Sequence, residues 1–459
     1  MFYIAEPTSH RPFYEFDALY EIAILKVFCI TKPVPEAEHI EFYEDMNDSG
    51  PLSDYRVLEL GSTAAGPFCT RLLADFGAQV VKIEAVEGDP IRQMGEVVNG
   101  KSLYGASICR NKLIASFNFR KSEARDLVRA VIPKFDIVVE NFRPGTLEKW
   151  GLGYEDLRKL NPKLIMTRIS GYGQTGPYKD RPGYGVIGEA MSGLRHMIGD
   201  PDRPPSRAAI PLTDYITALY AAFGTVTAVV AREKSGAGQC VDASLIESAF
   251  SFMEYHVPAY EKSGKIGVRT GPRLADSAPN TLFPTRCGNY IHIAALADAV
   301  FRRLAVAMGR PELGADPRFA EMKIRNQNQA LIDSLVGEWT MAHDIEELEA
   351  TLNKGDVPAS RIFTMEDIFK DPHYRARDML VPTPDDDMGS VTLAGVVPKL
   401  SATPGKLRWA GHRIGQDTRA FLKDAARLSD ADIDRLVAEG VVFCDPKSES
   451  LRVTDSRVG

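Results

Sequence analysis

The stretch RVLELGSTAAGPFCTRLLADFGAQVVKIE, residues 56–84, begins and ends with short apolar runs and holds a loop of small residues and a helical pattern between them. The runs 56–60 and 79–84 predict buried strands, and residues 68–76 predict a helix. Two such strands joined through a helix form a parallel, right-handed βαβ unit. The stretch therefore predicts the beginning of an α/β sheet.

The same alternation continues further along the chain. It predicts helices at residues 122–132 and 154–160 and apolar strands at residues 136–140 and 164–170. Alternating elements of this length favour a doubly wound α/β sheet with helices on both faces. Ligands bind such sheets outside the carboxyl ends of the strands, so the loops after Leu60, Glu140 and Ser170 are candidate binding loops.

The second half of the chain predicts a smaller domain. Before it, the large domain continues with two predicted helices, at residues 185–193 and 213–232, and one more strand, at 239–244. A basic segment with Gly and Pro then predicts a linker, and the strand and amphipathic helices after it predict an α+β domain. The predicted parts are an N-terminal extension of unknown role (1–50), the first part of a large domain (51–262), a linker (263–279) and the small domain (280–375). The last part (376–459) returns to the large domain and ends in a C-terminal tail.

The composition of the 459-residue chain restricts its partners. A formal net charge of −7 argues against nucleic acid or an anionic membrane, because both need concentrated Lys and Arg. The six cysteines are scattered without a CxxC grouping, which predicts no metal site, no disulfides and a reducing cytoplasm. No apolar run reaches about 18 residues, so no membrane-spanning helix is expected.

Three features could carry chemistry. The loop 61–67 could bring its backbone close to a phosphate at a helix N-terminus, or it could be an ordinary βα turn. Asp214 could be a reactive carboxylate, or an acid that only favours the N-terminus of the following helix. Basic residues near the predicted strand ends could bind a phosphorylated ligand or could be scattered surface charges: Lys82, Arg92, Arg110, Lys112, Arg120, Arg143 and Lys149.

Five long segments, in order along the chain, carry a resemblance to a known family. They are VLELGSTAAGPFCTRLLADFGAQVVKIE (residues 57–84), ENFRPGTLEKWGLGYEDL (140–157), NPKLIMTRISGYGQTGPYKDRPGYGV (161–186), AIPLTDYITALYAA (209–222) and PNTLFPTRCGNYIHIAA (279–295). From about Ser53 to Leu422 the chain resembles the class III CoA-transferases of the CaiB/BaiF type. That family includes formyl-CoA, carnitine and succinyl-CoA-dependent transferases and the related alpha-methylacyl-CoA racemase.

The resemblance implies a Rossmann-like large domain, a smaller α+β domain, and a homodimer of two chains threaded through each other as interlocked rings. It implies no permanently bound cofactor. A coenzyme A thioester and a carboxylic acid would be the substrates. Carried over by position, the CoA-binding residues would be Thr63, Ala64, Ala65, Phe117, Arg120, Asn141, Phe142 and Lys149.

Asp214 falls on the family's nucleophilic aspartate. In the implied mechanism its carboxylate forms a mixed anhydride with the donor and then an aspartyl-CoA thioester, and an acceptor carboxylate reverses these steps. A small or dicarboxylic donor such as succinyl-CoA is expected. Ala64 and Gly185 stand where some formyl-CoA transferases carry Gln and Glu, and the segment 269–281 lacks their glycine-rich flap, so formyl-CoA to oxalate transfer is not expected.

Two alternative functions stay open. A racemase needs two proton-transfer groups beside the alpha carbon, and Tyr184 and Gly185 offer no matched base at the positions where that branch of the family supplies them. A protein that binds acyl-CoA without turnover would have no need of a carboxylate at residue 214. The sequence therefore favours a CoA-transferase over both alternatives.

Overall fold

A computed structural model describes residues 50–448. The predicted N-terminal extension, apart from Gly50, and the end of the predicted C-terminal tail lie outside the described residues. The chain divides into two units. The first unit contains the residues up to Ser192, Ile210–Phe252 and the residues from Asp378 onward, and the second contains Gly193–Ala209 and Met253–Arg377. The predicted linker, 263–279, lies inside the second unit.

The strands within residues 50–448 are β1 (Arg56–Glu59), β2 (Gln79–Glu84), β3 (Val97–Val98), β4 (Lys101–Ser102), β5 (Lys112–Phe117), β6 (Ile137–Glu140), β7 (Ile165–Ser170), β8 (Cys240–Ser244), β9 (Asn280–Pro284), β10 (Tyr290–Ala294), β11 (Ala359–Arg361), β12 (Leu380–Asp385), β13 (Gly389–Ala394) and β14 (Val442–Phe443). The α-helices of the same part of the chain are α1 (Ala65–Asp75), α2 (Leu103–Ile108), α3 (Ser122–Val131), α4 (Thr146–Lys149), α5 (Tyr154–Leu160), α6 (Gly185–Met191), α7 (Leu194–Met197), α8 (Leu212–Ser235), α9 (Leu245–Phe250), α10 (His256–Ser263), α11 (Asp298–Ala307), α12 (Met322–Gln327), α13 (Gln329–Met341), α14 (Ile345–Lys354), α15 (Met365–Lys370), α16 (Pro372–Ala376), α17 (Thr418–Ala425) and α18 (Asp430–Ala438).

The central sheet of the first unit has seven strands in the order β14-β5-β2-β1-β6-β7-β8. All neighbouring pairs are parallel except β14 and β5. The chain adds β2 and β5 on one side of β1 and then returns to add β6, β7 and β8 on the other, which is the doubly wound pattern. The predicted α/β class with a mainly parallel sheet is confirmed.

Helices cover both faces of this sheet, which explains why its strands read as nearly continuous apolar runs. Val57 and Leu58 are neighbours in β1 and are both fully buried. Their side chains enter opposite cores, because successive side chains of a strand alternate between the two faces. Leu58 packs in the core that α3, α17 and α18 cover, and Val57 packs in the core that α1 and α8 cover.

Residues near the C-terminus complete the first unit. Phe421 of α17 packs against Phe117 of β5, with 6.1 Å between the ring centroids. The backbone N–H of Ile114 in β5 donates to the carboxylate of Asp417 at 2.7 Å, across 303 positions of sequence. Strand β14 pairs with β5 at the edge of the sheet. The position of β5 therefore depends on a segment far away in the sequence.

Helix α8 is the longest helix within residues 50–448. An 18-residue window of it has a mean hydropathy of 1.3, so by length and composition α8 could cross a membrane. The sequence prediction considered unbroken apolar runs, and small and polar residues interrupt the run in α8 without lowering its average hydropathy enough to fail this test. The buried core helix of a soluble protein passes the same test, and 44% of this window is buried.

The second unit is built around a three-stranded antiparallel sheet in the order β11-β10-β9. Ile291 and Ile293 of β10 alternate with exposed or half-buried neighbours and enter a core that α11, α13 and α14 cover. Arg325 is fully buried beside this core, where its guanidinium donates to the carbonyl oxygens of Ala278, Phe319 and Leu296. These bonds supply acceptors for a charge that would otherwise be costly to bury.

Candidate active site

The first loop, residues 61–64 between β1 and α1, is held in a conformation that a β-branched residue disfavours. Thr63 has a φ of +67°, in the left-handed region. Its backbone N–H donates to both carboxylate oxygens of Asp89, at 2.9 and 3.1 Å. This charge-assisted pair of bonds offsets the backbone strain. The loop backbone is thereby fixed at the carboxyl end of β1.

Asn141, which directly follows β6, fixes the same loop from the neighbouring strand. Its Oδ1 accepts the N–H of Ser62 at 2.7 Å, and its Nδ2 donates to the carbonyl oxygen of Ser62 at 2.9 Å. A Cβ added at Gly61 would lie 3.1 Å from Oδ1 of Asn141, so a residue without a side chain is favoured there. Both polar atoms of the Asn141 side chain are thus engaged by the loop.

A buried network of charges lies beneath the loop. The Lys82 ammonium contacts the carboxylates of Glu59 at 2.9 Å and Asp89 at 2.8 Å and donates to the Gly61 carbonyl oxygen at 2.7 Å. The Lys112 ammonium contacts Glu59 at 2.7 Å and donates to the carbonyl oxygen of Pro67 at 2.6 Å. Two ammonium groups thus face two carboxylates, and they hold the carbonyl groups on either side of the loop.

These pairings shift the ionisation of the two acids. Burial alone would raise the pKa of Glu59, but the ammonium groups of Lys112 and Lys82 outweigh it and lower that pKa. Burial is likewise the largest influence on Asp89, yet Lys82 and the N–H groups of Ile91 and Thr63 lower its pKa. Both carboxylates are therefore ionised at neutral pH.

Several basic residues that the sequence placed near strand ends prove to be neither surface charges nor available to a ligand. Lys82 and Lys112 are fully buried in the network just described. Arg110 is fully buried and donates through Nε and Nη2 to the two oxygens of Asp75, at 3.0 and 2.6 Å. Arg92 pairs with Glu84 at 2.7 Å. Acids as far as 53 positions away pair these cations, and residue type alone could not indicate such pairing.

A cavity of about 720 Å³ lies at the carboxyl ends of β1, β2 and β5. Its volume is within the usual range for ligand pockets. It is lined by Leu60, Gly61, Ser62, Ile83, Glu84, Ala85, Val86, Glu87, Gly88, Asp89, Pro90, Phe117, Asn118, Phe119, Arg120, Arg125, Phe142 and Trp150. Backbone of the first loop, aromatic rings and two guanidinium groups therefore surround one space.

The structure brings most of the predicted CoA-binding residues to this region, in different ways. Phe117, Arg120 and Phe142 line the cavity. Arg120 is largely exposed and pairs with Glu87 at 3.0 Å. The other five predicted residues do not line the cavity. Thr63 and Ala64 belong to the first loop, and Ala65 is the first residue of α1. Asn141 supports the first loop, and Lys149 is exposed at the end of α4.

Asp214 lies in the first turn of α8, half-buried against α6. A Cβ added at Gly185, the first residue of α6, would lie only 2.0 Å from Oδ2 of Asp214. The next residue, Tyr215, packs on Phe68 of α1 with 4.5 Å between the ring centroids. The carboxylate thus occupies the space that a side chain at residue 185 would need, and the start of α8 contacts the start of α1.

Tyr104 contacts Tyr215, the residue that follows Asp214. Its hydroxyl oxygen is 2.8 Å from that of Tyr215. Burial raises the pKa of Tyr104, and the hydrogen bond with Tyr215 and the negative charge of Asp214 raise it further. The phenol is therefore neutral at physiological pH and can act as a hydrogen-bond donor beside the carboxylate.

Sequence reasoning missed the residues that organise the site: Glu59, Asp89, Tyr104 and Tyr215. Asp89 carries a weak local signal, since it precedes Pro90 and caps a short 3-10 turn through the N–H of Ile91. The two tyrosines gave no signal, because their contact joins residues 111 positions apart. Within residues 50–448 there is no group of three or more His, Cys, Asp or Glu residues arranged to hold a metal ion.

Comparison with known proteins gives consistent matches over most of the chain. The family model for CoA-transferase family III matches residues 52–418. The succinyl-CoA–D-citramalate CoA-transferase of Chloroflexus aurantiacus is 45% identical over 394 residues, which cover 85% of this chain and 98% of that protein. The beta subunit of the succinyl-CoA–L-malate CoA-transferase of the same organism is 38% identical over 401 residues, with 85% and 98% covered. A crystal structure of a CaiB/BaiF family protein from Brucella suis is 33% identical, with a TM-score of 0.74 and 82% and 99% covered.

Proposed function

Because the chain belongs to CoA-transferase family III and is a CoA-transferase, we propose that it moves CoA from succinyl-CoA to a short dicarboxylic acid through the carboxylate of Asp214. The observation that carries the proposal is the position of Asp214, in the first turn of α8 and directly before Tyr215, whose hydroxyl oxygen lies 2.8 Å from that of Tyr104. Relatives named for succinyl-CoA as donor and for citramalate and malate as acceptors support the choice of substrates.

The proposed reaction is a series of acyl transfers between carboxylate and thiolate. The Asp214 carboxylate attacks the donor thioester carbonyl, the carbon–sulfur bond breaks, and CoA leaves as the thiolate, giving a mixed anhydride. The thiolate then attacks the aspartyl carbonyl and displaces the donor acid as its carboxylate, which leaves an aspartyl-CoA thioester. The acceptor carboxylate repeats both steps in reverse and regenerates Asp214.

Two features around Asp214 support this role. Asp214 lies in the first turn of the 24-residue helix α8, where the helix N-terminus favours negative charge. The neutral phenol of Tyr104, paired with Tyr215, can donate a hydrogen bond to negative charge that develops on the thioester oxygen. A carboxylate nucleophile needs no external base, because its attack on the thioester releases no proton.

We also propose that CoA binds along the first loop and the cavity, through Thr63, Ala64, Ala65, Phe117, Arg120, Asn141, Phe142 and Lys149. The cavity lining supports this for Phe117, Arg120 and Phe142. The engaged side chain of Asn141 supports a positioning role for that residue, because it shapes the loop backbone that would face the ligand.

A homodimer of interlocked rings remains part of the proposal. Helix α8 supports it with a row of exposed apolar side chains at helical spacing, Leu219, Phe223, Val226 and Val230, of which Phe223 is 72% exposed. Exposed rows of this kind typically mark a protein contact. A second copy of the chain is the partner that the family relationship favours.

The test is mass spectrometry of the intact protein after incubation with succinyl-CoA, comparing the native chain with Asp214→Ala. We expect a CoA-sized adduct on Asp214 of the native chain and none on the variant. Asp156→Ala is the matched control, because Asp156 also lies in the first turn of a helix but on the exposed helix α5. Exchange of alpha protons without an adduct would instead indicate a racemase, and binding with neither outcome would indicate a non-catalytic acyl-CoA-binding protein.

A further inference from the structure

Arg71 of α1 is a mostly buried cation with one buried hydrogen-bond donor that has no partner within residues 50–448. Its side chain is 16% exposed, and its Nε is buried without a hydrogen-bond partner among residues 50–448. The guanidinium carbon lies over the ring of Phe68, 4.1 Å from the centroid. A buried donor without an acceptor is costly, so an anionic group that reached this guanidinium would bind favourably.

The charges around Arg71 do not balance. Within the described chain its acidic partner is Asp75, whose Oδ2 lies 3.8 Å from Nε of Arg71. Both oxygens of that carboxylate already accept hydrogen bonds from Arg110, and Oδ1 accepts a third from Asn111 at 2.8 Å. Burial and the neighbouring Arg110 lower the pKa of Arg71 to about 10, which still leaves the guanidinium charged at neutral pH. Two guanidinium groups thus share one carboxylate, and one positive charge is in excess.

This excess charge lies close to the proposed nucleophile. Phe68, on which Arg71 stacks, packs against Tyr215, the neighbour of Asp214 in sequence. Arg71 and Asp214 also both act on Tyr104: the positive charge of Arg71 lowers the pKa of that phenol, and the negative charge of Asp214 raises it. Arg71 therefore stacks on the same ring of α1 that contacts the start of α8.

We propose that Arg71 binds the carboxylate at the far end of a dicarboxylic acyl group while Asp214 attacks the thioester at its near end. The proposal rests on the function proposed above and makes Arg71 the residue that selects dicarboxylic over monocarboxylic acyl groups. A guanidinium matches the planar geometry of a carboxylate and can hold it with two parallel hydrogen bonds. An acyl group that ends in a methyl would leave the guanidinium unpaired, and buried polar groups left unpaired are what give a site strong discrimination.

The test compares succinyl-CoA with butyryl-CoA, which has the same number of acyl carbons and ends in a methyl group. Initial rates are measured with both donors for the native enzyme, Arg71→Met, Arg71→Lys and the control Arg158→Met, whose side chain is exposed on α5. We expect Arg71→Met to lose about 10- to 100-fold in kcat/KM for succinyl-CoA, the value of a hydrogen bond to a charged group. Its kcat/KM for butyryl-CoA should be unchanged or higher, Arg71→Lys should lie between, and Arg158→Met should leave both values unchanged.

Two results would overturn the assignment. An equal loss for both donors in Arg71→Met would show that Arg71 acts only through its contact with Asp75. A native enzyme without a preference for succinyl-CoA over butyryl-CoA would refute it without any variant, which keeps the test valid if Arg71→Met does not fold. Adduct formation at Asp214 is followed in parallel. Normal adducts without a donor preference would refute only the role of Arg71. The absence of an adduct with every donor would refute the proposed function itself.

Discussion

At position 185 the space that a side chain would fill is occupied by the Asp214 carboxylate. An alanine Cβ there would lie 2.0 Å from Oδ2, whereas the backbone at residue 185 lies outside the left-handed region and would accept alanine. We expect Gly185→Ala to displace the carboxylate and to slow adduct formation by roughly 100-fold, since a misplacement of about 1 Å costs that much. Mass spectrometry of the Asp214 adduct over time measures the rate.

The same clash predicts a coupling between the two positions in stability. Gly185→Ala should lower the urea midpoint in the native background and have little effect in the Asp214→Ala background, where the clashing atoms are absent. Gly337→Ala is the control, because a Cβ at this helical glycine would meet its nearest neighbour at 3.9 Å. Equal costs in both backgrounds would mean that the clash with Asp214 is not the cause.

The buried carboxylate of Asp89 predicts a dependence of stability on acid. Its pKa is lower in the folded chain than its usual value of 3.8, so it contributes stability that is present above that value and is lost as the pH falls below it. Asp89→Asn should cost about 3 kcal/mol at neutral pH, because it leaves a buried ammonium with one carboxylate fewer. The variant should also lose less further stability on acidification.

Urea unfolding of the native chain and Asp89→Asn, followed from about pH 7 to about pH 3, tests this expectation. The two curves of unfolding free energy against pH should converge toward acid. Parallel curves would show that Asp89 does not keep its lowered pKa in solution. Asp156→Asn serves as the control, because the Asp156 side chain is 44% exposed and pairs with Lys159 of its own helix, at 3.3 Å.

At the scale of elements, the first loop depends on a side chain from another strand. Asn141→Ala removes both hydrogen bonds to Ser62, and each is worth about 1 kcal/mol. Because the loop backbone would then relax, we expect a rise of about 10-fold in KM for the CoA donor, with a smaller change in kcat. Steady-state kinetics with succinyl-CoA measures both.

Asn161→Ala provides the matched comparison for this loop. Asn161 also follows the end of an element and donates from its side chain to a backbone carbonyl, that of Phe135 at 2.8 Å, but it does not contact the first loop. It should lose a similar amount of stability and keep its KM. A similar rise in KM for both variants would mean that general destabilisation, not the loop, changes the affinity for CoA.

The elements themselves were largely predictable where burial alone defines them. The predicted strand 79–84 and helix 154–160 agree with β2 and α5, and the predicted strands 136–140 and 164–170 begin one residue before β6 and β7. Strand β5 was missed because it begins with Lys112, and a lysine in a buried strand looks like a surface residue until its partner Glu59 is known. That partner lies 53 positions away.

The candidate site was less predictable than the sheet. The alternation of strands and helices indicated the edge of the sheet where the loops meet, and the family resemblance supplied Asp214. The contacts that shape the site, such as that between Thr63 and Asp89, depend on which loops the folded sheet brings together. The excess charge at Arg71 also arises only in the fold, because Arg110 takes both oxygens of the acid that Arg71 faces.

At the scale of the whole molecule, the exposed apolar row on α8 predicts an interface between two copies of the chain. Phe223 is the most exposed member of that row. We expect Phe223→Glu to weaken dimerisation by about 2 kcal/mol or more, because it removes an aromatic contact and places a charge in an apolar interface. Sedimentation equilibrium should show a dimer for the native chain and a shift toward monomer for the variant.

Arg158→Glu is the control for this interface, since it changes the charge of a side chain on the exposed helix α5. It should leave the dimer intact. A native chain that stays monomeric at all concentrations would contradict the proposed interface. Recovery of the native chain with membranes, lost in Phe223→Glu, would indicate that the apolar row contacts lipid instead.

The late position of α17 and β14 in the chain has a consequence for protein synthesis. Strand β5 needs Asp417, Phe421 and β14 to cover its face and its edge, yet a ribosome makes these residues about 300 positions after β5. Until then the nascent chain presents an open strand edge and an uncovered apolar face, which are the features that promote aggregation. Chains released before about residue 443 should therefore depend on chaperones, and a premature stop near the C-terminus should be as harmful as one near the middle.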